Sequence, residues 1–187
     1  MTSSFTGVRV LTLDDFPDLR PLFEKTYQKL LLDNEIDEPH APLIKEQTQI
    51  IQDKLKNPRS VFFGSYTEGQ LSGFAGILPI TDIITDYFRE QGIFVPQGAR
   101  EIGGVYIGEN AQGQGHAKKL LEAALDQLHK TGTDHFLLDA VFNTSQSYWT
   151  KLLGTADHIL LNYWRKNDHH MIWVRKIEEI LSRLQDD

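Results

Sequence analysis

Two rhythms of apolar and polar positions run along this chain, and each change between them marks an element. Residues 8–13 alternate with the two-residue period of a strand. Leu19, Leu22, Phe23, Tyr27, Leu30 and Leu31 then recur at the spacing of one helix face. Asp14 or Asp15 is placed to cap that helix, and Pro17 is tolerated in its first turn. A polar break over 33–42 precedes a second helix carrying Leu43, Ile44, Gln47, Ile51 and Leu55, which Asn57-Pro58 ends. Residues 61–67 and 71–78 predict two strands joined as a hairpin at Glu68-Gly69. The connection 79–98, with Tyr87, Phe88 and Phe94, is long enough to hold a short helix. A strand over 101–108 leads to a helix over about 114–130, where Ala117, Leu120, Leu121, Ala124, Leu125 and Leu128 form one stripe and Thr131-Gly132 the stop. Residues 135–142 read as a buried strand, followed by Asn143 and a short helix through Ser147 to Leu153, stopped by Gly154. Strands at 159–164 and 171–174, linked across 165–169, and a helix beginning near Lys176 complete the order.

Composition narrows the chemistry. The 187 residues, 40% of them hydrophobic, suffice for one domain with a proper core, expected to span 1–187. With no cysteine, disulfides, thiolate nucleophiles and cysteine metal sites are all absent. The first residues lack the basic and apolar regions of a signal peptide, and no apolar run is long enough to span a bilayer. The expectation is a cytoplasmic protein with no membrane partner. A net charge of −7 argues against a nucleic-acid partner and is compatible with a cationic substrate. His169 and His170 are neighbours on a strand, so they point to opposite faces and no metal site is expected from them. Trp149, Trp164 and Trp173 read most simply as core or pocket-wall aromatics.

The most telling segment is 101–117, where a strand enters a glycine-bearing turn directly before the strongest helix. Gln112, Gly115 and Ala117 fit the pattern Gln/Arg-x-x-Gly-x-Gly/Ala, with a further glycine at Gly113. Glycine at 113 and 115 lets the backbone take positive φ and approach an anion closely. The helix start supplies orphan N–H donors and the positive end of its dipole. Together these suit a pyrophosphate. The plain alternative is a turn from strand to helix with no ligand. The spacing does not fit the Rossmann fingerprint, and no Walker P-loop is present.

This order of elements, together with that turn, resembles the GNAT superfamily of N-acetyltransferases. The resemblance covers 8–174; its specific part is 101–117, with weaker support at 143–154. It implies an α/β (α+β) fold whose mixed, mainly antiparallel central sheet is flanked by helices and splayed at an acyl-CoA cleft. It also implies acetyl-CoA as co-substrate and the primary amine of a small molecule or peptide as acceptor, joined by direct attack in a ternary complex. By the same resemblance, the backbone of Val105, Tyr106 and Ile107 pairs with the pantetheine arm, and the Ile107 N–H polarises the thioester carbonyl. Gln112 opens the pyrophosphate turn, whose amides are those of Gly113, Gln114, Gly115, His116, Ala117 and Lys118. The His116 side chain could also approach a phosphate. Glu101, eleven residues before Gln112, matches the position of a base used in some branches, and could equally be a structural glutamate at a strand end.

The proton donor departs from the family pattern. Many members carry a tyrosine seven residues after the asparagine, but counting from Asn143 reaches Thr150, or Trp149 if one leucine is inserted. That leaves Tyr148 or solvent to protonate the departing thiolate. Asn143 and Ser147 are expected either to contact CoA or to cap the short helix. Gly103-Gly104 inside the strand marks either a bulge with close backbone approach or simple local weakening. The competing functions are a non-catalytic acyl-CoA-binding regulatory module and an ordinary nucleotide-binding protein. A homodimer is compatible with the sequence.

Overall fold

The computed structural model describes residues 5–186. Its strands are β1 (Gly7–Leu11), β2 (Val61–Thr67), β3 (Gln70–Leu78), β4 (Arg100–Ile107), β5 (His135–Ala140), β6 (His158–Arg165) and β7 (Asp168–Lys176). Among the described residues they form one seven-stranded sheet in the order β1-β2-β3-β4-β5-β7-β6. The pairs β1–β2, β2–β3, β5–β7 and β6–β7 are antiparallel, and β4–β5 is parallel. The flanking helices are α1 (Phe16–Asp33), α2 (His40–Lys56), α3 (Asp82–Glu90), α4 (His116–Lys130), α5 (Asn143–Leu153) and α6 (Ile177–Asp186). The fold is therefore mixed α/β with a mainly antiparallel sheet flanked by helices. The chain packs as two compact units, one containing the residues up to Ile77 with Gly104–Ala124, the other Leu78–Gly103 with the residues from Leu125 onward.

In the first unit, α1 buries Leu19, Phe23, Thr26 and Leu31, the inward set that the helical spacing predicts in part. Phe23 meets Tyr106 edge-on, with ring centroids 4.8 Å apart, and Phe74 lies 5.4 Å from the same tyrosine. Such contacts contribute about 0.5–1.5 kcal/mol per pair beyond burial. Asp15 occupies the N-cap of α1 but makes no capping bond to it. Its carboxylate instead accepts from the Thr12 N–H at 2.8 Å, closing a single 3₁₀ turn over Leu13–Asp15, and pairs with Arg9 at 2.6 Å. The hydrogen-bonded guanidinium holds the Asp15 carboxyl below its ordinary pKa. The hairpin at Glu68-Gly69 turns through two left-handed residues, φ 49° and 81°, the geometry of a two-residue loop matched to strand twist.

In the second unit, the 79–98 connection holds α3, whose Ile84 and Phe88 pack against Ala99, Leu137, Leu160 and Ile172. Gly132, at φ 76°, ends α4, with Thr133 N–H donating to the Leu128 carbonyl and Gly132 N–H to that of His129. Helix α5 starts earlier than its sequence suggests: Asn143 is already helical and Phe142 stands at the N-cap. Neither Asn143 nor Ser147 caps it. Trp173 is fully buried and donates to the Gly154 carbonyl at 2.8 Å, and Trp149 is buried, but Trp164 is 47% exposed. The β6–β7 hairpin is tighter than the sequence reading, because Arg165 pairs with Asp168 and leaves Lys166-Asn167 as the turn. Strand β6 lies at the sheet edge, with exposed Ile159, Leu161 and Tyr163. Its register shifts between Leu160 and Arg165, where Asn162 is left-handed at φ 53°.

Candidate active site

The first unit carries the end of β4 and the turn after it. Gly108 N–H donates to the Ser72 carbonyl at 2.9 Å, so strand alternation aims the Ile107 N–H at the opposite edge of β4. On the near side β3 and β4 approach more closely than a side chain permits: a Cβ on Gly73 would lie 2.8 Å from the Tyr106 carbonyl oxygen. After a 3₁₀ turn over Glu109–Ala111, Gly113 and Gly115 take φ 74° and 79°. A Cβ on either glycine would touch nothing within 4 Å, so conformation, not room, calls for glycine here.

Side chains brace this turn from behind. Gln112 Nε2 donates to the Ile107 carbonyl at 3.3 Å, and Gln114 Nε2 to that of Asn110 at 2.7 Å. The amides of residues 113–118 donate to no acceptor among the described residues; the first to do so is Lys119, which reaches the Gly115 carbonyl. Residues 112–115 are exposed. Six uncommitted N–H groups therefore sit at the positive end of α4, beside the Lys118 and Lys119 side chains. That donor set fits a diphosphate.

His116 corrects one expectation. Its ring is 5% exposed and turned inward, sharing a 2.7 Å hydrogen bond between Nδ1 and the Oγ of buried Ser65. The side chain does not reach out to a phosphate, and only its backbone N–H serves the turn. Burial, and then the Lys119 charge, push the imidazole pKa down. Ser65 lies beside the β2 irregularity between Ser65 and Tyr66, 51 residues before its partner, and no local pattern points to it.

The second unit holds the remaining candidates. Glu101 is 2% exposed, and its Oε2 accepts from the Thr81 N–H at 2.7 Å, at the N-cap of α3. A Cβ on Gly103 would lie 3.1 Å from Glu101 Oε1 and 3.2 Å from Leu78 Cδ1, so this glycine leaves space for the carboxylate. With Gly104 at φ 61°, the glycine pair is both a kink and a close-packing point. The β4–β5 ladder contains Arg100↔Phe136 and Glu101↔Leu137 and goes no further. On α5, Gln146, Trp149 and Leu153 face inward, while Asn143, Ser147 and Thr150 are exposed. Tyr148 is 40% exposed and packs edge-on against Trp149. Partial burial pushes its hydroxyl pKa up, which keeps the phenol protonated.

The structure thus gathers Val105, Tyr106, Ile107 and the turn 112–118 on consecutive segments of the first unit, while Glu101, Asn143, Ser147 and Tyr148 belong to the second. The paired histidines part as strand alternation requires. His169 is half-buried and accepts from the Asn162 N–H, whereas His170 is buried between Trp164 and Asp139. Among the described residues no group of three or more metal-ligating side chains gathers, and no helix is long and apolar enough to cross a membrane.

Known proteins share this fold. The family model "Acetyltransferase (GNAT) family" matches residues 16–155. The fold is similar to an N-acetyltransferase of Thermoplasma acidophilum solved with coenzyme A, at 15% identity and a TM-score of 0.65, covering 91% of this chain and 99% of that one. It is similar to the ribosomal-protein-S18-alanine N-acetyltransferase of Escherichia coli, at 16% identity and a TM-score of 0.64, covering 92% and 94%. A spermidine N-acetyltransferase chimera from Vibrio cholerae aligns at 14% identity and a TM-score of 0.63, covering 94% and 98%. No curated protein matches the sequence.

Proposed function

Because the chain belongs to the acetyltransferase (GNAT) family, we propose that residues 1–187 act as one cytoplasmic N-acetyltransferase domain. It moves an acetyl group from acetyl-CoA to the primary amine of a small molecule or peptide, by direct attack in a ternary complex. The observation that carries this reading is the set of uncommitted amides at 113–118, aimed from a helix start whose glycines are left-handed. Solved neighbours named for coenzyme A, a ribosomal protein and spermidine support both the co-substrate and an amine acceptor.

Each residue has a task in this reading. The amides of Gly113, Gln114, Gly115, His116, Ala117 and Lys118 hold the diphosphate, while the Gln112 side chain fixes the turn against β4. The backbone of Val105, Tyr106 and Ile107 aligns the pantetheine arm, and the Ile107 N–H donates to the carbonyl oxygen that gains charge during attack. Glu101 accepts the ammonium proton, directly or through water, which frees the nitrogen lone pair. Asn143 and Ser147, exposed on α5, offer hydrogen bonds to CoA. Tyr148, kept protonated, or solvent returns a proton to the leaving sulfur.

A thiol-release assay tests this, with acetyl-CoA and a panel of polyamines, aminoglycosides and peptides. The expected outcome is turnover on at least one amine. Glu101→Gln should lower kcat at neutral pH about 100-fold, within the usual range for a positioned base, while changing CoA affinity little. An unchanged pH–rate profile in that variant removes the base assignment. One feature favours the binding-module alternative, the absence of tyrosine at both 149 and 150. Tight CoA binding with no turnover on any amine decides for it. Better protection against heat by ATP or NAD than by CoA decides for a nucleotide-binding protein.

A further inference from the structure

Asp139 on β5 is a carboxylate that the proposed chemistry leaves unused, and its surroundings are built around it. Glu101 is opposite Leu137 in the β4–β5 ladder, so both share one face of the sheet, and Asp139, two residues along β5, shares it too. The ladder has ended by then, so no residue of β4 is registered opposite Asp139. Most of this face is dry core, with Leu137, Leu160 and Ile172 packed beneath α3. Asp139 alone among these retains an exposed charge: its side chain is 22% exposed.

Its orientation is set by a buried imidazole. His170 is 1% exposed, and its Nδ1 accepts from the Trp164 indole N–H at 3.2 Å. An indole nitrogen can only donate, so Nδ1 carries no proton in this contact and the ring proton sits on Nε2. Nε2 makes no aligned hydrogen bond, and it lies 2.9 Å from Asp139 Oδ2. One carboxylate oxygen therefore lies against the ring edge, and among the described residues no partner is bonded to Oδ1. Among the described residues no lysine or arginine pairs with Asp139. A half-buried carboxylate with no cation of its own is a place for a ligand's positive charge.

We propose that Asp139, positioned by His170, holds a second positive charge of the acceptor, so that the preferred substrate is a dication: an amine carrying another ammonium a short carbon chain from the nitrogen that is acetylated. This rests on the transferase reading above. Asp139 stands two residues beyond the registered partner of Glu101, and diagonal same-face neighbours on paired strands are roughly 7–8 Å apart, the scale of a short diamine. Glu101 then serves the reacting nitrogen and Asp139 the distal one. His170 is a positioning residue that acts only through Asp139.

The test compares putrescine with pentylamine, which matches its length but carries a methyl in place of the second ammonium. The readout is the ratio of their kcat/KM values by thiol release, which does not depend on how much of a variant is folded. The wild-type ratio should be about tenfold or more in favour of putrescine, the scale of one charged hydrogen bond. Asp139→Asn should bring the ratio close to one, chiefly through a higher KM for putrescine. Trp164→Phe, at a half-exposed position, should lower the ratio partway, and His170→Gln, which keeps a donor toward Asp139, should retain more of it than His170→Phe. A wild-type ratio near one, or an Asp139→Asn ratio equal to wild type, overturns the inference while the transferase reading stands. Thiol release with neither of these amines but with another of the wider panel also overturns the inference alone, and release with no amine of that panel, despite CoA binding, removes both.

Discussion

The imidazole of His116 shows how one buried side chain can tie folding stability to pH. It is buried against Ser65, and burial followed by the Lys119 charge lowers its pKa below the ordinary value of about 6.5. Between the two values the unfolded chain binds more protons than the folded one, so stability rises with pH across that window. The contribution of neutral His116 is complete above about pH 6.5 and is lost as pH falls from there toward the folded-state value. Urea unfolding followed from pH 7 downward should show this loss in the wild type, and His116→Asn should flatten that part of the curve. Glu101 is visible in the sequence through its spacing before Gln112. Ser65 and Thr81 are not, because their bonds to His116 and Glu101 cross 51 and 20 residues and follow no local rule.

The turn and α4 act as one element, because the left-handed glycines decide where the helix-start amides point. Valine at position 115 meets no neighbour but must adopt φ near 79°, which costs a side chain about 1–2 kcal/mol and is worst for a β-branched one. Gly115→Val should therefore remain folded and lose CoA affinity by at least about tenfold, because relaxing that φ turns the amides away. Gly115→Asn should retain more of the affinity, since asparagine tolerates this region. Calorimetric titration with CoA checks both; an unchanged affinity in the valine variant removes the diphosphate assignment. Helix α4 and the Glu68-Gly69 hairpin were legible because periodicity and turn chemistry are local. Helix α3 was only allowed for, since Ile84 and Phe88 gain meaning from Leu137, Leu160 and Ile172, far along the chain. The start of α5 at Asn143 was hidden because Phe142, not a capping residue, stands before it.

At the scale of the whole molecule, a net charge of −7 should draw cationic acceptors toward the protein. Added salt should lower kcat/KM for a polyamine more than for a neutral-tailed amine, as the screening length shortens to about 10 Å at 0.1 M. An equal response from both amines would place recognition in contact chemistry alone. The sheet order could not be read from periodicity: the insertion of β7 between β5 and β6, and the single parallel pair, depend on long-range pairing, and only the family resemblance anticipated the architecture. The left-handed Asn162 has a bearing on solubility. Strand β6 presents Ile159, Leu161 and Tyr163 along an open sheet margin, a surface on which further chains could stack. The kink at Asn162 keeps that margin from running straight, and a straight apolar border is the usual seed for fibrous aggregation. Asn162→Val, which favours an uninterrupted strand, should turn a clear concentrated solution turbid on storage, with light scattering rising before any loss of secondary structure.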